Sequence, residues 1–112
     1  MERPIILLAD PDGAVRRMCE SVLATLGTDF HWVATGAEAL RFCGEHPVAL
    51  VAAEAHLPDM GGIEVIEQVK ASHPATDVLL LTAHPTVDFA VQALKKGAVD
   101  YLRKDARRRD LH

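Results

Sequence analysis

The stretch Ile5-Ile6-Leu7-Leu8-Ala9-Asp10-Pro11-Asp12-Gly13 places a continuous apolar run directly before an acidic loop. An apolar run in which polar and apolar positions do not alternate is typical of a strand buried on both faces of a parallel sheet. The loop that follows carries carboxylates at the point where this strand should end. The stretch therefore predicts an α/β fold in which acidic side chains follow the first strand.

The alternation between apolar runs and helical patterns continues along the chain. Strands are predicted at 5–9, 30–34, 48–53, 78–81 and 99–102, and helices at 15–26, 36–45, 63–70 and 87–94. Gly27 is typical of a helix end, and Thr35 with Glu38 three residues later predicts a capping box. Trp32, in the second strand, is expected to be partly buried packing. Five strands that alternate with four helices indicate a doubly wound parallel sheet with helices on both faces.

Composition excludes several classes of protein. The chain has 112 residues, of which 49% are hydrophobic, which suits a single domain and is too apolar for a disordered chain. We predict one domain over residues 1–112 with its core at 4–105. No apolar run approaches the roughly 18–20 residues of a membrane-spanning helix, and the first run is too short for a signal peptide. A cytoplasmic location and no membrane partner are therefore expected.

Charge is spread unevenly along the chain. There are 12 Lys and Arg residues against 16 Asp and Glu residues, a formal net charge of −4. Residues 103–109 hold five of the basic residues and one acidic residue, so the rest of the chain carries a net charge of −8. Affinity for the phosphate backbone of DNA comes from Lys and Arg. An acidic body therefore predicts that this domain does not bind nucleic acid directly.

Polar side chains follow four of the five predicted strands. Asp10 and Asp12 come after the first strand and Glu54 after the third, while Thr82 ends the fourth and Lys104 follows the fifth. Because the carboxyl ends of parallel strands meet at one edge of the sheet, these groups should share a crevice. Carboxylates, a hydroxyl and an ammonium group together could bind a phosphoryl group or a divalent cation.

Two stretches of the chain carry a resemblance to a known family. Leu57-Pro58-Asp59-Met60-Gly61-Gly62 is similar to the M-P-x-M-x-G loop of the receiver domains of bacterial two-component response regulators. Residues 81–102, LTAHPTVDFAVQALKKGAVDYL, resemble most closely the receivers of nitrogen-regulation-type activators. The resemblance spans residues 4–105, which is nearly the whole chain.

The resemblance implies both a fold and a mechanism. It implies a flavodoxin-like sheet with the strand order 2-1-3-4-5. A histidine kinase would transfer a phosphoryl group to an aspartate at the end of strand 3, beside a Mg²⁺ ion held by two acids after strand 1. A hydroxyl ending strand 4 and a lysine after strand 5 would contact the phosphoryl oxygens. An aromatic side chain in strand 5 would report the state on the face formed by helix 4, strand 5 and helix 5.

Several positions of this chain match the pattern of the family. Asp10 matches the first acid, and Thr82 and Lys104 match the positions that contact the phosphoryl group. Tyr101 matches the aromatic switch. His56 stands where the family offers a main-chain carbonyl to the metal, and its imidazole is expected to face solvent.

Other positions depart from the pattern. Glu54 occupies the phosphoacceptor position, and Pro11 occupies the position of the second acid, where it offers no side-chain oxygen. Asp12, one residue on, is a weak candidate metal ligand together with Asp10. Asp105 replaces the proline that usually follows the lysine through a cis bond. Since a cis bond before a residue other than proline costs roughly 2.5–4 kcal/mol, a trans bond is predicted there.

These departures change the expected function. The extra methylene of Glu54 should carry its carboxylate to where a phosphoryl group would sit, so that it can pair with Lys104 and accept from Thr82. We therefore predict a degenerate, phosphorylation-independent receiver that acts as a regulatory interaction module and not as an enzyme. One alternative is a phosphate-accepting receiver with Mg²⁺ held by Asp10 and Asp12. Another is a flavodoxin-like cofactor-binding domain, which is disfavoured because the loops lack the residues that bind a flavin phosphate.

The end of the chain is shorter than the resemblance would require. Residues 106–112 can supply only a remnant of helix 5 or the start of a linker, so helix 5 is predicted to be truncated or missing. A missing helix would leave apolar surface exposed, which favours association. We expect either a piece of a longer regulator with an output domain, or a homodimer that covers this surface. The expected signalling partner is a histidine kinase or another signalling protein.

Overall fold

Strands and helices alternate along the chain in a computed structural model that describes residues 3–104. The strands are β1 (Ile5–Ala9), β2 (Asp29–Val33), β3 (Val48–Glu54), β4 (Asp77–Thr82) and β5 (Asp100–Arg103). The helices are α1 (Gly13–Leu23), α2 (Gly36–Glu45), α3 (Gly62–Ser72) and α4 (Val87–Lys95), and a short 3-10 turn covers Ala24–Leu26. The predicted alternation of five strands and four helices is confirmed.

The strands form one parallel sheet in the order β2-β1-β3-β4-β5, as the family resemblance implied. Neighbouring residues of β2 contact different helices: His31 packs against Phe42 of α2, whereas Trp32 lies under Arg16 of α1. Because successive side chains of a strand point to opposite faces, α1 and α2 lie on opposite faces of the sheet. The doubly wound architecture is therefore confirmed.

Local sequence signals explain where the elements end. Thr35 and Glu38 form the predicted capping box at the start of α2. The predicted first helix is divided, because its last turn tightens into the 3-10 segment before Gly27. Gly27 has a φ of 69°, a left-handed conformation that glycine adopts without the steric cost of a Cβ. The glycine signal thus marked the end of the helical segment correctly.

The hydrophobic core lies around the three inner strands and the helices that cover them. It includes Leu7 and Ala9 of β1, Val51 and Ala53 of β3, Val78 and Leu80 of β4, and Val65, Ile66 and Val69 of α3. Helix α1, by contrast, has no fully buried residue. The core therefore fixes the strands that deliver the polar groups, while the outer helices stay partly exposed.

Several large apolar side chains are exposed to solvent. They are Val22 and Leu26 near the end of α1, Val87, Val91 and Leu94 of α4, and Val99 and Leu102 at β5. Within residues 3–104, no helix is long and apolar enough to cross a membrane. The predictions for Asp105 and for residues 106–112, including the truncated helix 5, lie outside the described residues.

Candidate functional site

Three charged side chains from three strands meet at the carboxyl edge of the sheet. Lys104, which follows β5, places its Nζ 2.9 Å from Oε1 of Glu54 at the end of β3. The same Nζ lies 3.0 Å from Oδ2 of Asp10, which follows β1. The convergence expected from the strand ends is therefore found for these three residues. We call Asp10, Glu54 and Lys104 the ion triad.

The ion triad is largely removed from solvent. Asp10 is 0% exposed and Glu54 8% exposed, and the side chain of Lys104 is 16% exposed. Burial alone lowers the pKa of Lys104, but the hydrogen bonds and negative charges of Glu54 and Asp10 outweigh it, so this pKa lies above its ordinary value. The largely buried ammonium group of Lys104 thus forms ion pairs with two buried carboxylates.

Both carboxylate oxygens of Glu54 have hydrogen-bond donors. Oε1 accepts from Lys104, and Oε2 accepts a short hydrogen bond from the main-chain N–H of His56. One residue after β3, the N–H of Ala55 donates to the carbonyl of Leu81 in β4 at 2.7 Å, so the main chain at the end of β3 is held by its neighbour. The orientation of the Glu54 carboxylate is fixed by a donor on each of its oxygens.

Asp10 is held through its side chain and its main chain. Its Oδ1 accepts from the N–H of Asp12 at 2.9 Å, and its own N–H donates to the carbonyl of Val33 at 3.0 Å. Its carbonyl accepts from the indole N–H of Trp32 at 2.7 Å. The sequence interpretation gave Trp32 only a packing role, and this contact was missed. The contact could have been expected from chemistry alone, because the N–H of a partly buried indole usually donates to an acceptor.

Asp12 serves as the N-cap of α1. Its Oδ1 accepts from the N–H of Ala14 at 2.8 Å, and the residue is exposed. This explains the residue type in local terms, because an acidic or hydroxyl side chain at this position satisfies a free amide at the start of a helix. The metal-ligand role that the sequence suggested for Asp12 remains a prediction.

The donor set of the crevice does not fit a Mg²⁺ ion, which prefers several oxygen ligands at short range. Asp10 faces Lys104, Glu54 has both oxygens engaged, and Pro11 offers no side-chain oxygen. Among residues 3–104, no group of three or more His, Cys, Asp or Glu side chains is arranged to hold a metal ion. Lys104 is the cationic group that lies beside both acids in this structure.

Thr82 lies at the site but does not bond to Glu54. It is buried at the end of β4, and its hydroxyl accepts from the N–H of His84 at 3.1 Å. The expectation that Glu54 accepts from Thr82 is therefore not met. The reason is local, because a Thr hydroxyl can fold back onto the main chain two residues later. The main chain of Thr82 still helps to place the lysine, since its carbonyl accepts from the N–H of Lys104 at 2.6 Å.

An aromatic group links the site to the start of α4. The hydroxyl of Tyr101 accepts from the N–H of Thr86 at 3.1 Å, and Thr86 is the N-cap of α4. Tyr101 meets Phe89 edge-on at 6.2 Å, and Phe89 lies parallel to the ring of His56 at 5.8 Å. His56 is exposed, as expected, but its ring is also packed against α4. Contacts therefore run from the Glu54 loop to α4.

Asp59 fastens the loop between β3 and α3 to helix α2. Its Oδ1 and Oδ2 accept from the N–H groups of Gly36 and Ala37 at 2.8 and 2.9 Å. These two hydrogen bonds lower the pKa of Asp59 below its ordinary value of 3.8, and the bond from Ala37 has the larger effect. The carboxylate thus complements the positive end of the α2 dipole as well as its free amides.

Replacing Asp59 by asparagine is expected to remove a pH-dependent part of the stability. Because the folded-state pKa of Asp59 is lowered, its contribution is fully present above 3.8 and is lost as the pH falls through the folded value. The urea midpoints of wild type and Asp59→Asn should therefore differ more at pH 6 than at pH 3, below the ordinary pKa of 3.8. Glu20→Gln, on the exposed face of α1, is the control. An equal gap between Asp59→Asn and wild type at both pH values would contradict the assignment.

A parallel sheet in the order β2-β1-β3-β4-β5 with helices on both faces is the CheY-like fold of response regulator receiver domains. The chain matches the response regulator receiver domain family over residues 6–112. It belongs to this family, which places it in two-component signalling.

Known relatives agree with this assignment. The chain is 34% identical over 104 residues to the DNA-binding transcriptional regulator NtrC of Escherichia coli (strain K12), covering 93% of the chain and 22% of that protein. It thus spans about a fifth of the length of this curated relative. The crystal structure of the signal receiver domain of a putative LuxO repressor protein from Vibrio parahaemolyticus superposes with a TM-score of 0.88 at 30% identity, covering 98% of this chain and 85% of that one.

A third comparison is with the solution structure of the beryllofluoride-activated NtrC4 receiver domain dimer. The TM-score is 0.86 at 28% identity, and the alignment covers 96% of this chain and 89% of that one. The similarity to nitrogen-regulation-type receivers that the sequence indicated is therefore confirmed in both sequence and structure.

Proposed function

We propose that this receiver domain signals without phosphorylation, because its site is already closed by an internal ion pair. The observation that carries the proposal is the Glu54 carboxylate, which stands at the phosphoacceptor position and bonds to Lys104 at 2.9 Å. In the family pattern this lysine contacts the incoming phosphoryl group. Here an anionic group of the chain itself takes that place.

The geometry of Glu54 supports this proposal. Attack on a phosphoryl donor requires a carboxylate oxygen with a free lone pair directed at phosphorus. One oxygen of Glu54 is engaged by the ammonium group of Lys104, and the other by the main chain of His56. Turning either oxygen toward phosphorus would disturb one of these two bonds, and the bond to Lys104 belongs to an ion pair that is costly to break.

The charge balance of the crevice also supports the proposal. A receiver with a second acid after β1 needs a divalent cation to offset its carboxylates, whereas this chain has Pro11 at that position. The remaining carboxylates of Asp10 and Glu54 are both paired with Lys104. With less negative charge, the crevice has less need of Mg²⁺ and holds it less well.

The output of this domain is proposed to be an interaction surface and not a reaction with turnover. Tyr101 is bonded to the N-terminus of α4, so the state of the site can influence the exposed face of α4 and β5. We propose that the partners are a histidine kinase or another signalling protein, and an output domain, since the named relative is a DNA-binding transcriptional regulator. We also propose a homodimer, since a related receiver forms a dimer.

Incubation with acetyl phosphate and Mg²⁺ tests the proposal. We expect the intact mass of the protein to stay unchanged, whereas a phosphate-accepting receiver would gain roughly 80 Da, the mass of one phosphoryl group. The double variant Pro11→Asp, Glu54→Asp restores the second acid and shortens the acceptor. It is expected to become labelled, because it frees a carboxylate and recreates the acidic pair of the family pattern.

The controls separate the possible outcomes. Glu54→Ala should remain unlabelled, as should Glu67→Ala, which changes an acid in a surface ion pair. A stoichiometric adduct on the wild type that disappears in Glu54→Ala would overturn the proposal and establish the phosphate-accepting alternative.

A further inference from the structure

Trp32 touches the site from an edge strand that supplies none of the charged groups. It lies in β2, where its Cα pairs with that of Leu8 in β1, and its indole N–H donates to the carbonyl of Asp10 at 2.7 Å. We propose that Trp32 is a positioning residue, which holds the main chain of Asp10 so that its carboxylate reaches Lys104.

The carbonyl of Asp10 lies where the main chain offers few donors. The next residue, Pro11, has no N–H group, and helix α1 begins only at Gly13. The first carbonyl used by the helix is that of Asp12, which accepts from Arg16. Because buried carbonyl groups are nearly always paired, the indole N–H supplies a donor that neither the helix nor the proline provides.

The indole ring is itself held in place. The guanidinium of Arg16 lies 4.6 Å from the centre of the Trp32 ring, a distance typical of a cation–π contact. Strand β2 also accepts the N–H of Asp10 through the carbonyl of Val33. Two consecutive residues of β2 therefore bond to the main chain of Asp10: the side chain of Trp32 donates to its carbonyl, and the carbonyl of Val33 accepts from its N–H.

These two hydrogen bonds determine the direction of the Asp10 carboxylate. With its main chain fixed, Asp10 directs Oδ1 to the N–H of Asp12 and Oδ2 to Lys104. Asp10 is completely buried, so a shift that breaks the ion pair would leave a buried negative charge without its cationic partner. The inference rests on the proposed function, because the position of Asp10 matters through its pairing with Lys104.

A double-mutant cycle tests the inference, using the equilibrium constant of unfolding measured in urea. Trp32→Phe keeps an aromatic ring under Arg16 but removes the N–H donor. We expect it to reduce the folded-to-unfolded ratio about tenfold in the wild-type background. In the Lys104→Met background the same change should reduce the ratio by a clearly smaller factor, because the contact that Trp32 positions is already gone and only the unpaired carbonyl of Asp10 remains as a cost.

Phe30→Leu is the matched control in the same strand. The side chain of Phe30 has no hydrogen-bonding atom. Phe30→Leu should therefore reduce the folded-to-unfolded ratio by the same factor in both backgrounds. If Trp32→Phe also shows the same loss in both backgrounds, Trp32 is only a packing residue and the inference fails. Acetyl phosphate labelling tests the proposed function separately, so either can fail while the other holds.

A fluorescence measurement keeps the inference testable if Trp32→Phe does not fold. Trp32 is the only tryptophan of the chain, so the emission reports this contact directly. Lys104→Met should shift the emission maximum of the folded protein, whereas Lys96→Met, which removes a surface ion pair, should leave it unchanged. An unchanged maximum in Lys104→Met would overturn the inference.

Discussion

Replacing Lys104 by methionine is expected to lower the free energy of unfolding by about 3 kcal/mol at pH 7. Methionine keeps most of the length and apolar character of the lysine side chain but removes its charge. The change leaves Asp10 and Glu54 facing each other at the edge of the sheet without the ammonium group that lies about 3 Å from both. Urea unfolding monitored by circular dichroism measures the effect.

The size of this effect follows from burial. Breaking a buried ion pair by removing one partner costs roughly 3–5 kcal/mol, because the remaining charge is neither hydrated nor paired. Lys104 keeps some contact with solvent, which places the expected loss at the lower end. Surface ion pairs, by comparison, contribute about 0–1 kcal/mol.

The loss should depend on pH. Because the folded-state pKa of Lys104 is raised, its stabilisation is fully present below the ordinary value of 10.5 and is lost as the pH rises through the folded value. The gap between wild type and Lys104→Met should therefore close on the alkaline side.

Lys96→Met is the matched control for Lys104→Met. Lys96 pairs with Glu67 at 3.0 Å, but both side chains are about half exposed. Its loss should cost less than about 1 kcal/mol. If the two variants lose the same stability, the ion triad does not stabilise the fold more than a surface ion pair does.

Gly62→Ala is the second substitution with a large expected effect, a loss of about 3 kcal/mol in the free energy of unfolding. Gly62 is the first residue of α3 and is buried. A Cβ at this position would lie 2.6 Å from the carbonyl oxygen of Glu54 and 2.6 Å from Cδ1 of Leu80. Main-chain atoms cannot move away as a flexible side chain can, so α3 would have to shift from the end of β3.

The same substitution should disturb the site as well as the stability. The N–H of Gly62 donates to the carbonyl of Ala55 at 2.8 Å, directly after Glu54. A displacement of α3 would therefore pull on the strand end that carries the carboxylate. We expect the amide signals of residues 54–56 to move in the NMR spectrum of any Gly62→Ala protein that remains folded.

Gly44→Ala is the control for Gly62→Ala. Gly44 lies in α2, where an added Cβ would meet no atom within 4 Å. Alanine should stabilise the protein there by about 0.5–1 kcal/mol, because glycine is a poor helix former. A stability of Gly62→Ala equal to that of wild type would show that α3 is not in close contact with the end of β3.

Much of the fold could be predicted from the sequence because its signals are local. Buried parallel strands favour unbroken apolar runs, and Ile5–Ala9 and residues 48–53 have them. The caps are equally local, as the pair Thr35 and Glu38 shows. The boundaries shifted by a residue or two, because hydrogen bonds to neighbouring strands decide where a strand stops.

The candidate site was predictable only in part. The proximity of Asp10, Glu54 and Lys104 follows from topology, since strand ends in a parallel sheet share one edge. The orientation of side chains in loops does not follow from topology. Thr82 therefore bonded to its own loop, and the contact of Trp32 with Asp10 became visible only in three dimensions. The functional roles of these residues remain predictions.

The strand order also determines when the ion triad can form during folding. Lys104 follows the last strand, and its partners lie at the ends of β3, fifty residues earlier in the chain, and of β1, the first strand. Contacts between residues so distant along the chain are costly to form before the intervening strands have paired, because closing long loops loses entropy. We therefore expect the triad to form late in folding. Lys104→Met should then speed unfolding more than it slows folding, so the lifetime of the folded receiver depends on the triad more than the folding rate does.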